Sequence, residues 1–162
     1  MTVFGNETII KNIVECENAA EGDIMDKLKL HDRLEQALNN VSKTSTFLDQ
    51  FYGLNYSFSD GTCSIEFEVE DFMLNPISYL HGGISAFVLD SAMGYLCNKE
   101  MGAPTVTAEM KVQYMKGVSS GKLTCVAQFL KKGRRISYVE SRIMDAAGNV
   151  LTHATATFLT VK

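Results

Sequence analysis

From Asp23 onward, the spacing of apolar residues along this 162-residue chain changes period three times, and each change marks a different kind of element. Met25, Leu28, Leu34, Ala37 and Leu38 recur at helical spacing, with Asp23 placed as N-cap and Asn39-Asn40 as a stop. A shorter helix is expected next. Thr44 or Ser45 would cap it, Phe47, Leu48, Phe51 and Tyr52 share one face, and Gly53 ends it. Then Cys63, Ile65, Phe67 and Val69 alternate with Ser64, Glu66, Glu68 and Glu70, the period of a half-buried strand whose glutamates face water.

From Gly83 to Cys97 the alternation stops. Ile84, Phe87, Val88, Leu89, Ala92, Met93, Tyr95, Leu96 and Cys97 wrap most of a helical circumference, which predicts a helix buried on nearly all sides. After Gly102-Ala103-Pro104 come four strand-like runs: Thr105 to Lys116, Leu123 to Lys131, Ile136 to Asp145, and Val150 to Val161. Short turns at Ser119-Ser120-Gly121, Lys132-Gly133 and Ala147-Gly148-Asn149 favour antiparallel pairing in sequential order. The pattern predicts an α+β domain over 46–162, one long buried helix lying on a curved antiparallel sheet, preceded by a helical extension over 1–45. Residues up to Glu21 have mixed polarity and no strong period.

Composition narrows the function. With 46% hydrophobic and 21% charged residues the chain can bury a sizeable core, and a net charge of −4 argues against a nucleic-acid partner. Cys16, Cys63, Cys97 and Cys125 are widely spaced with no C-x-x-C pair. They read as free thiols of a reducing compartment, the cytoplasm, and not as zinc ligands, so no metal is expected. The stretch from Phe72 to Leu89 carries no Asp, Glu, Lys or Arg, but Asn75, Pro76 and Gly82-Gly83 interrupt it, so no membrane span is expected. The N-terminus lacks the cationic and apolar segments of a signal peptide.

Asp90 stands in the middle of the apolar helix. Burying an unpaired carboxylate costs several kcal/mol or drives its pKa upward. Either it is paired on a narrow polar stripe with Ser91 and Gly94, or it is a functional acid. Gly83 and Asp90, seven residues apart, share a face but lie ~10 Å apart along the axis. One helix cannot bring both to one small substrate group, whereas a second, antiparallel copy of the helix could. A site shared between two subunits is therefore expected.

The order of elements resembles the hotdog-fold acyl-CoA thioesterases, in particular their phenylacetate-pathway-like (PaaI-like) branch. The resemblance rests on Asn75 six residues before His81, the His81-Gly82-Gly83 opening, Leu-Asp-Ser-Ala-Met-Gly at 89–94, Gly-Ala-Pro-Thr-Val-Thr-Ala-Glu-Met at 102–110, and Ala-Thr-Ala-Thr-Phe at 154–158. It covers roughly Phe51 to Val161. It implies a hotdog fold, homodimers assembled into a homotetramer, an active site at the dimer interface, and hydrolysis of an acyl-CoA to a free acid and coenzyme A. Coenzyme A would then be part of the substrate, with no separate cofactor.

The resemblance also implies roles. The backbone N–H of Gly82, with Gly83, would stabilise the oxyanion at a positive helix N-terminus. Asp90 from the second subunit would act as general base or as nucleophile. Asn75 would hold the thioester or the attacking water, or else serve only the Asn-Pro turn. His81 would shape the helix start or act directly, and Thr107 would orient water near the acid or be an ordinary strand threonine. Lys131, Lys132, Arg134 and Arg135 concentrate four cations in one turn, suited to coenzyme A phosphates or simply to water. Phe87 and Met110, with Met93, Tyr79 and Leu80, would line an acyl pocket or belong to the core. The competing functions are a non-catalytic acyl-CoA-binding hotdog protein, a hydratase or dehydratase, and a structural oligomerisation module.

Overall fold

A computed structural model describes residues 21–42 and 45–161, and the chain divides into two compact units after Tyr52. The break in sequence pattern had put the boundary at 45/46. In the first unit, helix α1 (Glu21–Asn39) begins before Asp23, which therefore lies inside it and does not cap it. Helix α2 (Phe47–Phe51) is capped by Thr46 and not by Ser45. The Thr46 hydroxyl accepts from the Asp49 N–H at 3.3 Å and the buried Asp49 carboxylate accepts from the Thr46 N–H at 2.7 Å, a reciprocal capping box. Thr44 and Cys16 lie outside the described residues.

The second unit begins with a hairpin that the apolar pattern did not announce. Strands β1 (Asn55–Ser59) and β2 (Thr62–Val69) pair through a two-residue turn, Asp60-Gly61, with φ of 49° and 72°. Positive φ at both central positions gives the turn a twist that matches the strands, which is why Asp-Gly serves there. A short 3-10 turn (Asp71–Met73) leads to the long helix α3 (Gly82–Met101), ended by Gly102 in the left-handed conformation. Strands β3 (Thr105–Tyr114), β4 (Gly121–Lys131), β5 (Ile136–Met144) and β6 (Val150–Thr160) complete one antiparallel sheet in the order β1-β2-β4-β5-β6-β3. Helix α3 packs across β2 to β6. This is the expected hotdog arrangement.

Sequential pairing holds for β4-β5-β6 but fails for β3, which joins β6 at the far edge. With β2 already paired to β4, the chain crosses from edge strand β3 past β6 and β5 to interior strand β4 along 115–120. That crossover is tied down where Met115 and Lys116 both donate to the Leu151 carbonyl and Leu80 donates to that of Val118. It runs past the start of α3 and so shapes the site.

Burial of α3 is one-sided, contrary to the expectation from its apolar wrapping. Val88, Leu89, Ala92, Met93, Leu96 and Cys97 are buried against the sheet, whereas Ile84, Phe87, Asp90, Ser91, Gly94 and Tyr95 are only half-buried. Of these, Asp90 lies toward β3, an edge strand most of whose side chains are exposed, and Tyr95 toward Tyr56 of β1.

Candidate active site

The start of α3 is held from two directions. His81 is the N-cap, and its Nδ1 accepts from the Gly83 N–H at 2.9 Å, so that nitrogen carries no proton in this arrangement. On the other side the Tyr114 hydroxyl donates to the Gly82 carbonyl at 2.9 Å. The peptide group between Gly82 and Gly83 is thereby clamped at its oxygen and at its nitrogen. The Gly83 N–H, expected as a second oxyanion donor, is engaged by His81 in this arrangement. The Gly82 N–H has no partner among the described residues and stands at the positive end of the helix. The fit at Gly82 is tight, since a Cβ there would lie 3.2 Å from the Tyr114 ring, closer than ordinary contact.

Asn75 supports the same corner. Its Oδ1 accepts from the Ile77 and Tyr79 N–H groups at 3.0 and 3.1 Å, while its own N–H donates to the Tyr79 carbonyl at 2.7 Å. It is thus the turn residue that Asn-Pro suggests, yet its side-chain amide N–H groups stay unengaged. Asn75 and Gly82 border one cavity of about 330 Å³. Tyr79, Leu80, Ile143 and Leu151 supply its apolar walls, and Met115 to Val118 of the crossover close one side.

Asp90 lies two turns further along α3. Its Oδ1 accepts from the Thr107 hydroxyl at 2.7 Å, and its Oδ2 has no partner among the described residues. Asn98, two turns on again, accepts from both the N–H and the hydroxyl of Thr105 at 2.8 Å. Three polar contacts, from Tyr114 to Gly82, Thr107 to Asp90 and Thr105 to Asn98, therefore fix β3 antiparallel along the helix. A β-bulge between Thr107 and Glu109 changes the register of β3 against β6 beside the acid. The structure shows Asp90 paired, on a half-buried stripe with Ser91 and Gly94, and still offering one carboxylate oxygen.

Within one chain the expected site residues fall into two groups. Asn75 and Gly82 border the cavity, with His81 capping the helix start just outside its lining, while Asp90 and Thr107 meet each other and do not border it. Tyr79 and Leu80 line the cavity, Met93 is core, and Phe87 and Met110 are half-buried away from its lining. The turn carrying Lys131, Lys132, Arg134 and Arg135 joins β4 to β5 at the end of β5 opposite Ile143. Lys132 is bonded to Glu100 at 2.8 Å, and that bond and charge hold the Glu100 carboxyl below its ordinary pKa; Lys131, Arg134 and Arg135 are exposed. Among the described residues, no His, Cys, Asp and Glu side chains converge in a group of three or more that could hold a metal.

Among the residues around the cavity that were not singled out from the sequence, three carry hydroxyls: Tyr114, Ser85 and Thr152. Tyr114 sits in an alternating strand where a tyrosine is unremarked, and its contact with Gly82 spans 32 residues. The signal lay in β3–β6 register, which sets Tyr114 opposite Thr152.

Comparison with known proteins bears on the family and the fold. Residues 78–152 match the model of the thioesterase superfamily. Acyl-coenzyme A thioesterase 13 of Homo sapiens is 33% identical over 94 residues, which is 56% of this chain and 66% of that protein, so the chain spans just under two thirds of that relative's length. Putative esterase PA1618 of Pseudomonas aeruginosa is 29% identical over 119 residues, covering 71% of this chain and 80% of its own. Among solved structures, the BH2602 protein of Bacillus halodurans, crystallised with CoA, superposes with a TM-score of 0.76 at 25% identity, over 90% of this chain and 97% of that one. The PaaI protein from the phenylacetic acid degradation operon of E. coli shares the fold, with a TM-score of 0.69 at 19% identity over 83% and 94% of the two chains.

Proposed function

We propose that the chain, whose hotdog fold and match to the thioesterase superfamily over 78–152 point the same way, hydrolyses acyl-CoA thioesters to a free acid and coenzyme A, each active site being assembled from two subunits. One observation carries the reading. An unpartnered Gly82 N–H opens on a cavity at a braced helix start, while the acid needed for chemistry sits eight residues away on the same helix, ~12 Å along its axis.

A two-fold copy running antiparallel would bring the second subunit's acid to the first subunit's Gly82. The exposed edge strand β3 is the element that would pair with its own copy, since an uncapped edge presents unpaired N–H and C=O groups. Two such dimers would form the homotetramer.

In the assembled site the thioester oxygen accepts from the Gly82 N–H, which stabilises negative charge where it develops. The acid takes a proton from water as the hydroxyl adds to the carbonyl carbon; collapse of the tetrahedral adduct expels coenzyme A thiolate, which is reprotonated. Alternatively the carboxylate itself attacks, giving a mixed anhydride and the thiolate, and water then cleaves the anhydride. Thr107 orients the acid in either route, and the free amide of Asn75 donates to the thioester or the water. Lys131, Arg134 and Arg135 serve the phosphates of coenzyme A bound to the neighbouring subunit.

The buried, unpaired thiols of Cys63, Cys97 and Cys125 support a reducing, cytoplasmic setting. No described helix is long and apolar enough to cross a membrane. The test is release of free thiol from a panel of acyl-CoAs by the wild type and Asp90→Asn, with oligomeric state measured alongside. A fall of about 10²- to 10⁴-fold in a folded variant is expected. Near-normal turnover in Asp90→Asn would overturn the assignment, and tight acyl-CoA binding without turnover by the wild type would make this a binding protein instead.

A further inference from the structure

The cavity beside Gly82 contains two hydroxyls that nothing in the fold uses. Ser85 is 3% exposed and Thr152 is 5% exposed, and both line the cavity. Neither side chain has a hydrogen-bond partner among the described residues, and neither oxygen is sealed from open space. Each hydroxyl belongs to a buried residue yet opens on the cavity, so it is free to bond a molecule that enters, and a ligand that displaced water there without replacing its hydrogen bonds would bind less well.

Both lie close to the proposed oxyanion donor. Ser85 follows Gly82 by three residues, which puts the two on one face of α3 with a rise of ~4.5 Å between them. Thr152 stands opposite Tyr114 in the β3–β6 register, and Tyr114 is bonded to the Gly82 carbonyl. The hydroxyls thus flank the helix start from the helix and from the sheet. Leu80, Ile143 and Leu151 make the neighbouring walls apolar.

We infer that Ser85 and Thr152 form a polar subsite that selects acyl groups bearing a hydroxyl or carbonyl oxygen near the thioester end, with the remainder of the acyl chain apolar. The inference rests on the thioesterase reading for its substrate, but the subsite itself is defined by the cavity. A serine and a threonine hydroxyl each donate and accept, so they satisfy a substrate hydroxyl or keto oxygen equally well. An unsubstituted acyl chain would leave both unpaired, which disfavours it by about the worth of one net hydrogen bond.

The experiment compares kcat/KM for octanoyl-CoA, 3-hydroxyoctanoyl-CoA and 8-hydroxyoctanoyl-CoA in the wild type, Ser85→Ala and Thr152→Val. The wild type should favour the 3-hydroxy over the plain chain by about tenfold, and each substitution should bring that ratio toward one. Because the readout is a ratio within one protein sample, partial misfolding of a variant cancels. Equal rates on the plain and 3-hydroxy chains, preference for the 8-hydroxy chain, or a ratio that survives both substitutions would overturn the proposal. Calorimetric Kd values for the same three compounds separate it from the thioesterase reading. If no thiol is released from any of them, hydrolysis fails, yet tighter binding of the 3-hydroxy compound, lost in the variants, upholds the subsite, and equal binding overturns it.

Discussion

Thr107 and Asp90, seventeen residues apart, meet through a 2.7 Å hydrogen bond in which the threonine hydroxyl donates to one oxygen of the carboxylate and leaves the other free. A carboxylate held this way cannot rotate without breaking the bond, so its free oxygen has a fixed direction. Acting through Asp90, Thr107 is a positioning residue. Thr107→Val keeps the β-branched shape in a strand but removes the donor. Its kcat is expected to fall about tenfold with KM little changed, and Thr107→Ser should recover most of the loss. Steady-state thiol release with a single acyl-CoA checks this; equal kcat in the valine variant would reduce Thr107 to an ordinary strand residue.

The clamp on the Gly82-Gly83 peptide predicts a second effect. Tyr114→Phe retains the ring that packs on Gly82 but loses the hydroxyl that bonds its carbonyl, so the helix start stays in place with less restraint. We expect kcat to drop by about three- to tenfold, the equivalent of one net hydrogen bond. Gly82→Val should be more severe, because a Cβ would already lie 3.2 Å from the Tyr114 ring before the valine methyls are added. Measuring both variants by kcat/KM, with circular dichroism to verify folding, separates the loss of a bond from a steric block; an unaffected Gly82→Val enzyme would remove Gly82 from the site.

Legibility from the sequence followed locality. The four strands after α3 emerge from their alternation because each is read from its own residues, and the helix from 83 to 97 from its apolar content. What was missed depends on partners distant in sequence. Wrapping of apolar residues around α3 suggested burial on all sides, but nothing in it distinguishes a face packed on the sheet from one left half-open. Likewise β3 was expected beside β4 because a short turn joins them; the prior claim of β2 on that edge of β4 is a pairing that no local pattern records. Two local signals were present and unread: Asp60-Gly61 between short alternating runs, and Thr46 followed three residues later by Asp49. For the site, Asp90, Gly82 and Asn75 stood out as residue types in unusual surroundings, whereas Tyr114, Ser85 and Thr152 acquire significance only from what they face.

A network on the side of the sheet away from α3 governs acid stability. Glu140 on β5 accepts from Gln128 at 2.6 Å, from His153 at 3.0 Å and from Arg142 at 2.7 Å. Hydrogen bonds from Gln128 foremost, then His153 and Arg142, bring its pKa from 4.5 down to about 2. Because the folded value lies below the unfolded one, the contribution is fully present above about pH 4.5 and is lost as pH falls toward about 2. Glu140→Gln should therefore lower the thermal midpoint near neutral pH and flatten its decline over that acid window. Melting curves of both proteins across it decide the matter; parallel declines would mean that Glu140 does not carry the linkage.

The separation of Asp90 from the Gly82 cavity gives the sharpest test of a shared site. In a two-fold dimer with composite sites, an Asp90→Asn subunit paired with a Gly82→Val subunit has both defects in one site and an intact Gly82 with an intact Asp90 in the other. Each homodimer of either variant would be inactive, but random re-pairing of equal amounts makes half of the dimers mixed, each with one working site of two. About a quarter of wild-type activity per subunit should then return. Thiol-release assays on the two variants co-expressed in equal amounts, with no separation of mixed from uniform dimers, measure it directly. If each site were instead built within one chain, the mixed dimer would hold one defective acid and one blocked helix start in separate sites, and no activity would reappear.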